Sequence, residues 1–127
     1  MNIFVLDKNP VLAAEYACDR HVVKMITESS QLLCTALAVK TGHIPDFGFK
    51  PTHTNHPCAK WTRETNGNFQ WLVKHTKALI KEYDKRYGKT NNFSRSRAIV
   101  QYCEITSIDN DDSLTPFVLA MPEQYRS

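Results

Sequence analysis

The chain has 127 residues, 42% of them hydrophobic and 23% charged, with a formal net charge of +3. That length holds one domain with one modest core, and the balance is that of an ordinary globular protein; the mild charge permits nucleic-acid binding without requiring it. No apolar run is expected to approach the roughly 20 residues that span a bilayer, and the start, Met1-Asn2-Ile3-Phe4-Val5-Leu6-Asp7, has neither the basic segment nor the cleavage site of a signal peptide.

Ile3 to Leu6 is a short apolar run, expected as a strand or as an extended arm on helices. Asn9-Pro10 is a helix-start signal, an N-cap followed by proline at the first helical position. No further proline and no glycine follows before Gly42. The stretch from Pro10 to about Val39 therefore predicts one long helix, or two joined near Cys18-Asp19, ended at Thr41-Gly42. Gly42, Pro45, Gly48 and Pro51 make 42–56 a loop. Asn55-His56-Pro57 repeats the start logic, and a helix from Pro57 carries Trp61, Arg63 and Glu64. Trp61 is expected in the core, where large aromatics dominate. Asn66-Gly67 marks a potential break, with Thr65 as the cap of the next helix.

In that next helix Phe69, Leu72, Thr76, Leu79, Ile80, Tyr83 and Tyr87 recur at three and four residues. Gly88 sits just past its end, where a left-handed cap needs glycine. Lys81, Lys85 and Arg86 crowd the last turns and suit the helix dipole. A shorter helix is predicted from Ser94 to about Ile105. From Ser107 the chain is polar and acidic, with Pro116 and Pro122, and is expected to drape over the helices through Phe117, Val118, Leu119 and Met121. The predicted fold is all-α: a single compact domain over 1–127 of three to four helices, with a short extended N-terminal segment and an extended tail over 107–127.

Charge and cysteine placement add two expectations. Asp109, Asp111, Asp112 and Glu123 lie near the end, so the part before residue 105 is more basic than the total. Cys18, Cys34, Cys58 and Cys103 form no Cys-x-x-Cys pair and are expected as free thiols in a reducing compartment, the cytoplasm, filling core positions.

Two constellations carry chemistry. On the first long helix Val22, Val23, Met25, Ile26, Leu32, Leu33, Ala36 and Leu37 cover one broad arc. His21, Lys24, Glu28, Gln31 and Thr35, spaced 3, 4, 3 and 4, form a narrow stripe facing away from it. One reading is a solvated face with Lys24 and Glu28 as an i,i+4 pair. The other is one wall of an acid–base or phosphate-contacting cleft, because the stripe holds a group titrating near neutrality, an amine, a carboxylate and an amide. The catalytic candidates are His21, Lys24 and Glu28. The second constellation runs from Thr52 to Glu64. It sets His53, Asn55 and His56 on a loop before the N-terminus of the Pro57 helix, a ready phosphate site, with Arg63 as a bidentate clamp. A zinc set of His53, His56, Cys58 and His21 matches no common spacing, so no metal or other cofactor is expected.

The runs Leu6-Asp7-Lys8-Asn9-Pro10, Cys18-Asp19-Arg20-His21-Val22-Val23-Lys24-Met25, Asn55-His56-Pro57 with Trp61, and Glu82-Tyr83-Asp84-Lys85-Arg86-Tyr87-Gly88-Lys89 resemble a group of small bacteriophage proteins. That group is distantly similar to the pyrimidine-dimer DNA glycosylases of the endonuclease V type. The resemblance covers roughly residues 6–90. It implies an all-α protein that binds DNA, expels a base and cuts the N-glycosidic bond. It also implies attack by the N-terminal amine, help from a glutamate on the first helix, and strand cleavage through a Schiff base. Two departures stand out. Asn2 is large enough to block removal of Met1, which leaves the amine on Met1. A register through Leu6 puts His21 near the family's catalytic glutamate, with Glu28 two turns further on, so Lys24 becomes an alternative amine and Glu28 or His21 the acid–base group. The substrate- and phosphate-contacting candidates are Gln31, His53, Asn55, His56, Arg63 and Lys89. The expected partner is duplex DNA with a damaged or modified base, and no membrane. The alternative is a non-catalytic phage helical protein that binds a host protein or a nucleotide.

Overall fold

Nothing between Asp19 and Thr41 interrupts a helical backbone, and the computed structural model has a 23-residue helix there, α1 (Asp19–Thr41). It describes residues 9–11, 14, 19–88 and 92–116, with the backbone alone at His21. The expectations for Ile3 to Leu6, for the joint near Cys18, for Lys89 and for the tail from Phe117 fall outside these residues. Upstream, the Asn9 side-chain oxygen accepts the Val11 N–H at 2.9 Å, as an N-cap should. Gly42 ends α1 at a φ of 74°, with its N–H on the Ala38 carbonyl.

Three more helices follow among the described residues: α2 (Pro57–Glu64), α3 (Asn66–Tyr87) and α4 (Ser94–Glu104). No strand occurs among the described residues, and the fold is all-α. Thr65 closes α2 and opens α3. Its extended backbone turns the chain, and its hydroxyl accepts the Asn68 N–H at 2.9 Å. Gly88 ends α3 at φ 87° and ψ 154°, a region essentially reserved for glycine, with its N–H on the Asp84 carbonyl.

One hydrophobic cluster draws on all four helices, with Met25, Ile26, Leu33 and Leu37 of α1, Trp61 of α2, Phe69, Leu72 and Leu79 of α3, and Ile99 and Cys103 of α4. α1 packs chiefly on α3 and also on α2 and α4. Trp61 is in the core, edge-on to Trp71, whose ring stacks on His75. Cys34, Cys58 and Cys103 are buried free thiols. Tyr87 departs from the predicted apolar stripe and is exposed, because the last turn of α3 runs past the core.

The expectation that no apolar run approaches roughly 20 residues needs a correction. Val22–Thr41 is long and apolar enough to cross a bilayer, although 61% of its most apolar stretch is buried inside the protein. Among its residues only Lys24, Glu28 and Lys40 are charged. That is the composition of a core helix enclosed by three others.

Beyond α4 the chain straps the α2–α3 junction. Asp111 accepts the N–H groups of Asn66 and Gly67, and Ser113 accepts the Thr65 hydroxyl at 2.6 Å. Asn68 bonds Thr115 twice, through its side-chain oxygen to the backbone N–H and through its amide to the hydroxyl. The acidic residues here have local structural work. Asp109 meets Lys40 at 3.2 Å, and Asp111 bonds both the N–H and the hydroxyl of Ser113.

Candidate active site

The α1 stripe is a gradient from water to core. Lys24 is 65% exposed, the Glu28 side chain 19%, Gln31 is half-buried and Thr35 is fully buried. The face turned away from the apolar arc is therefore not solvated along its length, as a simple surface helix would be. The loop before α2 lies on its C-terminal end. The Thr35 hydroxyl accepts the Thr52 N–H at 3.1 Å and faces the Thr52 carbonyl at 3.2 Å. The Phe49 N–H reaches the Cys34 sulfur at 3.3 Å. Residue 52, immediately before His53, is thus tied to the stripe about 10 Å along the helix from Glu28, the rise of seven residues.

Glu28 is the one carboxylate of this stripe. Its Oε2 is buried and makes no hydrogen bond among the described residues, and the Lys24 ammonium stands 3.9 Å away. A buried carboxylate oxygen without a hydrogen bond is rare in a folded protein. The neighbouring Ser29 hydroxyl is also buried without a hydrogen bond.

Across the loop the second constellation is held in shape by its own members. The Asn55 turn closes with the His56 N–H on the His53 carbonyl at 2.9 Å, and His53 has a φ of 51°. Arg63 Nη1 donates to the Thr54 carbonyl at 2.7 Å. One arm of the expected clamp thus braces the loop. The N-cap of α2 is His56, whose Nδ1 accepts the Cys58 N–H at 3.1 Å. That N–H is taken, so the predicted anion site at this helix start has one donor fewer. The bond also fixes the tautomer, with the proton on Nε2. Burial, and the charge of His53 with ring centroids 6.5 Å apart, hold His56 below the usual imidazole range. Asn55 and His53 are exposed. No group of three potential metal-binding side chains occurs among the described residues.

Two motif runs far apart in sequence meet at the other end of α1. Arg86 bonds Asp19 at 2.9 Å and Glu82 at 3.0 Å. These residues clamp the start of α1 to the end of α3, and so orient the turn that carries His21 and Lys24. The reading by residue type passed over two features, of which spacing could have revealed only the first. One is the row Lys74, Lys77, Lys81 and Lys85 on α3. The other is the Thr35–Thr52 tie, which carries no sequence signal because one member is a backbone group.

The helical scaffold carries a carboxylate and an amine on the first helix, flanked by a histidine-bearing loop, and the protein is all-α. The model of the pyrimidine dimer DNA glycosylase family matches residues 1–96, and the chain belongs to that family. Its role is accordingly DNA glycosylase-like. Comparison with curated proteins and with solved structures finds no match.

Proposed function

We propose that the chain excises a damaged or modified base from duplex DNA, with Glu28 as the working carboxylate. The observation that carries this reading is the buried Glu28 oxygen, without a hydrogen bond among the described residues and 3.9 Å from the Lys24 ammonium. Such an oxygen is poised to accept a proton or to face a positive charge developing on a sugar. The family membership supplies the reaction class.

The target base must leave the stack before its glycosidic bond can be reached. In the proposed reaction an amine nitrogen attacks C1′ of that nucleotide. The new N–C1′ bond forms as the bond from C1′ to the base breaks, and the electron pair and a proton go to the departing base. The nitrogen first loses a proton to give an aminal; its lone pair then forms the C1′=N bond as the C1′–O4′ bond breaks and O4′ takes a proton, which leaves the opened sugar as a protonated imine, with Glu28 relaying the protons. The resemblance implies the N-terminal amine as nucleophile, and Lys24 is the second candidate by its place beside Glu28. His21 lies two turns before Glu28 on the same helix face. Gln31, His53, Asn55, His56, Arg63 and Lys89 are assigned to substrate and phosphate contact.

The test is incubation of a dimer-containing duplex with the protein and borohydride. Base loss and a trapped covalent adduct are expected, with peptide mapping naming the amine. Glu28→Gln should lower excision by about 100-fold or more, the usual contribution of a general acid–base group. Absence of cleavage and of adduct with dimer, abasic and other lesions would sink the enzyme reading.

A further inference from the structure

We propose that the uncovered face of α3 is a second nucleic-acid surface, one that grips the phosphate backbone of duplex DNA away from the Glu28 site. The inference rests on the DNA-acting reading above and adds a contact that this reading does not need. α3 buries most of its circumference, and Lys74, Lys77, Lys81 and Lys85 stand on what is left. At 100° and 1.5 Å per residue they fall within about 80° of arc and extend about 16 Å along the axis.

Grooves flank this ridge on both sides. One, of about 470 Å³, lies between the lysines and Val11. The other, of about 300 Å³, lies between Lys77, Lys81 and the α4 residues Arg97, Val100 and Gln101. None of Lys24, Glu28, His53, His56 and Arg63 lines either groove, which sets the surface apart from the described residues of the proposed site.

Among the described residues, two of the four ridge lysines have a carboxylate within 4.0 Å and two do not. Lys77 meets Glu104 at 3.1 Å, and Lys85 is 4.0 Å from Glu82, which Arg86 already holds. Lys74 and Lys81 have no carboxylate within 4 Å among the described residues. Arg97 is not part of the grip, because both its arms are bound by Asp84 at 2.7 and 2.8 Å.

The chemistry favours a phosphate backbone over an acidic protein. Protein interfaces are depleted in lysine and anchored by buried aromatic rings. Among the described residues the grooves offer Val11, Ala78, Ile80 and Val100 and no ring. Flexible ammonium groups in a row make point contacts to phosphates and carry no base sequence information.

The experiment measures affinity for an undamaged duplex between 50 and 200 mM salt, for the full chain and for Lys74→Ala/Lys81→Ala. Two lost phosphate contacts should make the log–log salt slope shallower by about 1.8. Affinity at the lowest salt should fall about tenfold or more, while single-turnover excision at saturating protein stays unchanged. Equal slopes and affinities, in a protein that does excise bases, would overturn the inference and leave the proposed function standing. A full chain that binds no duplex would overturn both. Displacement of the duplex by polyglutamate as effectively as by competitor DNA of equal charge would overturn the choice of partner. Glu28→Gln should keep the full salt slope while losing excision.

Discussion

A carboxylate oxygen without a hydrogen bond, as at Glu28, costs stability wherever it is buried, and the cost is tolerable where a substrate or a moving proton will use the oxygen. Replacing Glu28 by Gln removes the charge at nearly constant shape. Thermal unfolding should therefore show a variant as stable as the parent, or more so, and a loss of stability above about 1 kcal/mol would mark Glu28 as structural instead. His75 makes a different residue-scale prediction. Burial drives this imidazole below its ordinary range, against the opposing effect of its hydrogen bond to the Pro10 carbonyl at 3.0 Å. The folded state thus binds fewer protons than the unfolded state in acid. The stability His75 contributes is complete above the ordinary value of 6.5 and is lost as pH falls below it toward the folded value. Denaturant midpoints measured from pH 7.5 down to pH 5 should decline, and His75→Gln should decline less steeply.

At the scale of elements, the α2–α3 junction concentrates the consequences. Thr65 caps α3 and donates to the Ser113 carbonyl while being buried. Thr65→Ala should cost about 1–2 kcal/mol, read from chemical denaturation, the sum of a lost cap and a lost hydrogen bond. Gly67 sets two effects against each other. In an exposed helix, Gly→Ala stabilises by about 0.5–1 kcal/mol. Here the Asp112 and Ser113 carbonyls occupy the space that a Cβ needs. The clash is with backbone, which cannot swing aside, so Gly67→Ala should destabilise, and a rise in melting temperature would contradict the fit of the strap. The helix boundaries themselves were legible in sequence, because caps, prolines and glycines act locally. Pro57, Thr65, Gly42 and Gly88 all mark ends where expected. The burial pattern was less legible. Tyr87 shares the period of the α3 core residues and is exposed, because periodicity says nothing of where the neighbouring helices stop.

For the molecule as a whole, stability depends on a segment that follows the family match. Gln70 donates to the carbonyls of Cys103 and Thr106 at the end of α4, and the strap then satisfies the side chains of Asn66 and Asn68. Removing residues 107–127 would leave the buried Asn68 amide oxygen and the first N–H groups of α3 without these partners. The truncated chain should melt several degrees lower, since about 1 kcal/mol shifts a domain of this size by roughly 2–8 °C. Its amide exchange should speed up at Asn66 and Gly67 before anywhere else in α3. Unchanged melting and exchange would show that the strap is ornamental to the fold.

The all-α class, the helix ends, the thiols in the core, the first-helix stripe and the family likeness were determined by the sequence alone, because each depends on residues within a few positions of one another or on a motif read in line. What only the tertiary structure decided is how those pieces are used. The stripe is a slope from solvent to core because the 49–56 loop lies across Thr35. Arg63 has one arm on the Thr54 carbonyl, and His56 is neutral at Nδ1 because it caps α2. The lysine row on α3 is left uncovered because α1, α2 and α4 occupy the rest of that helix. Each of these is a contact between groups distant in the chain, several of them with backbone atoms, and side-chain identity carries no record of where a backbone carbonyl will be.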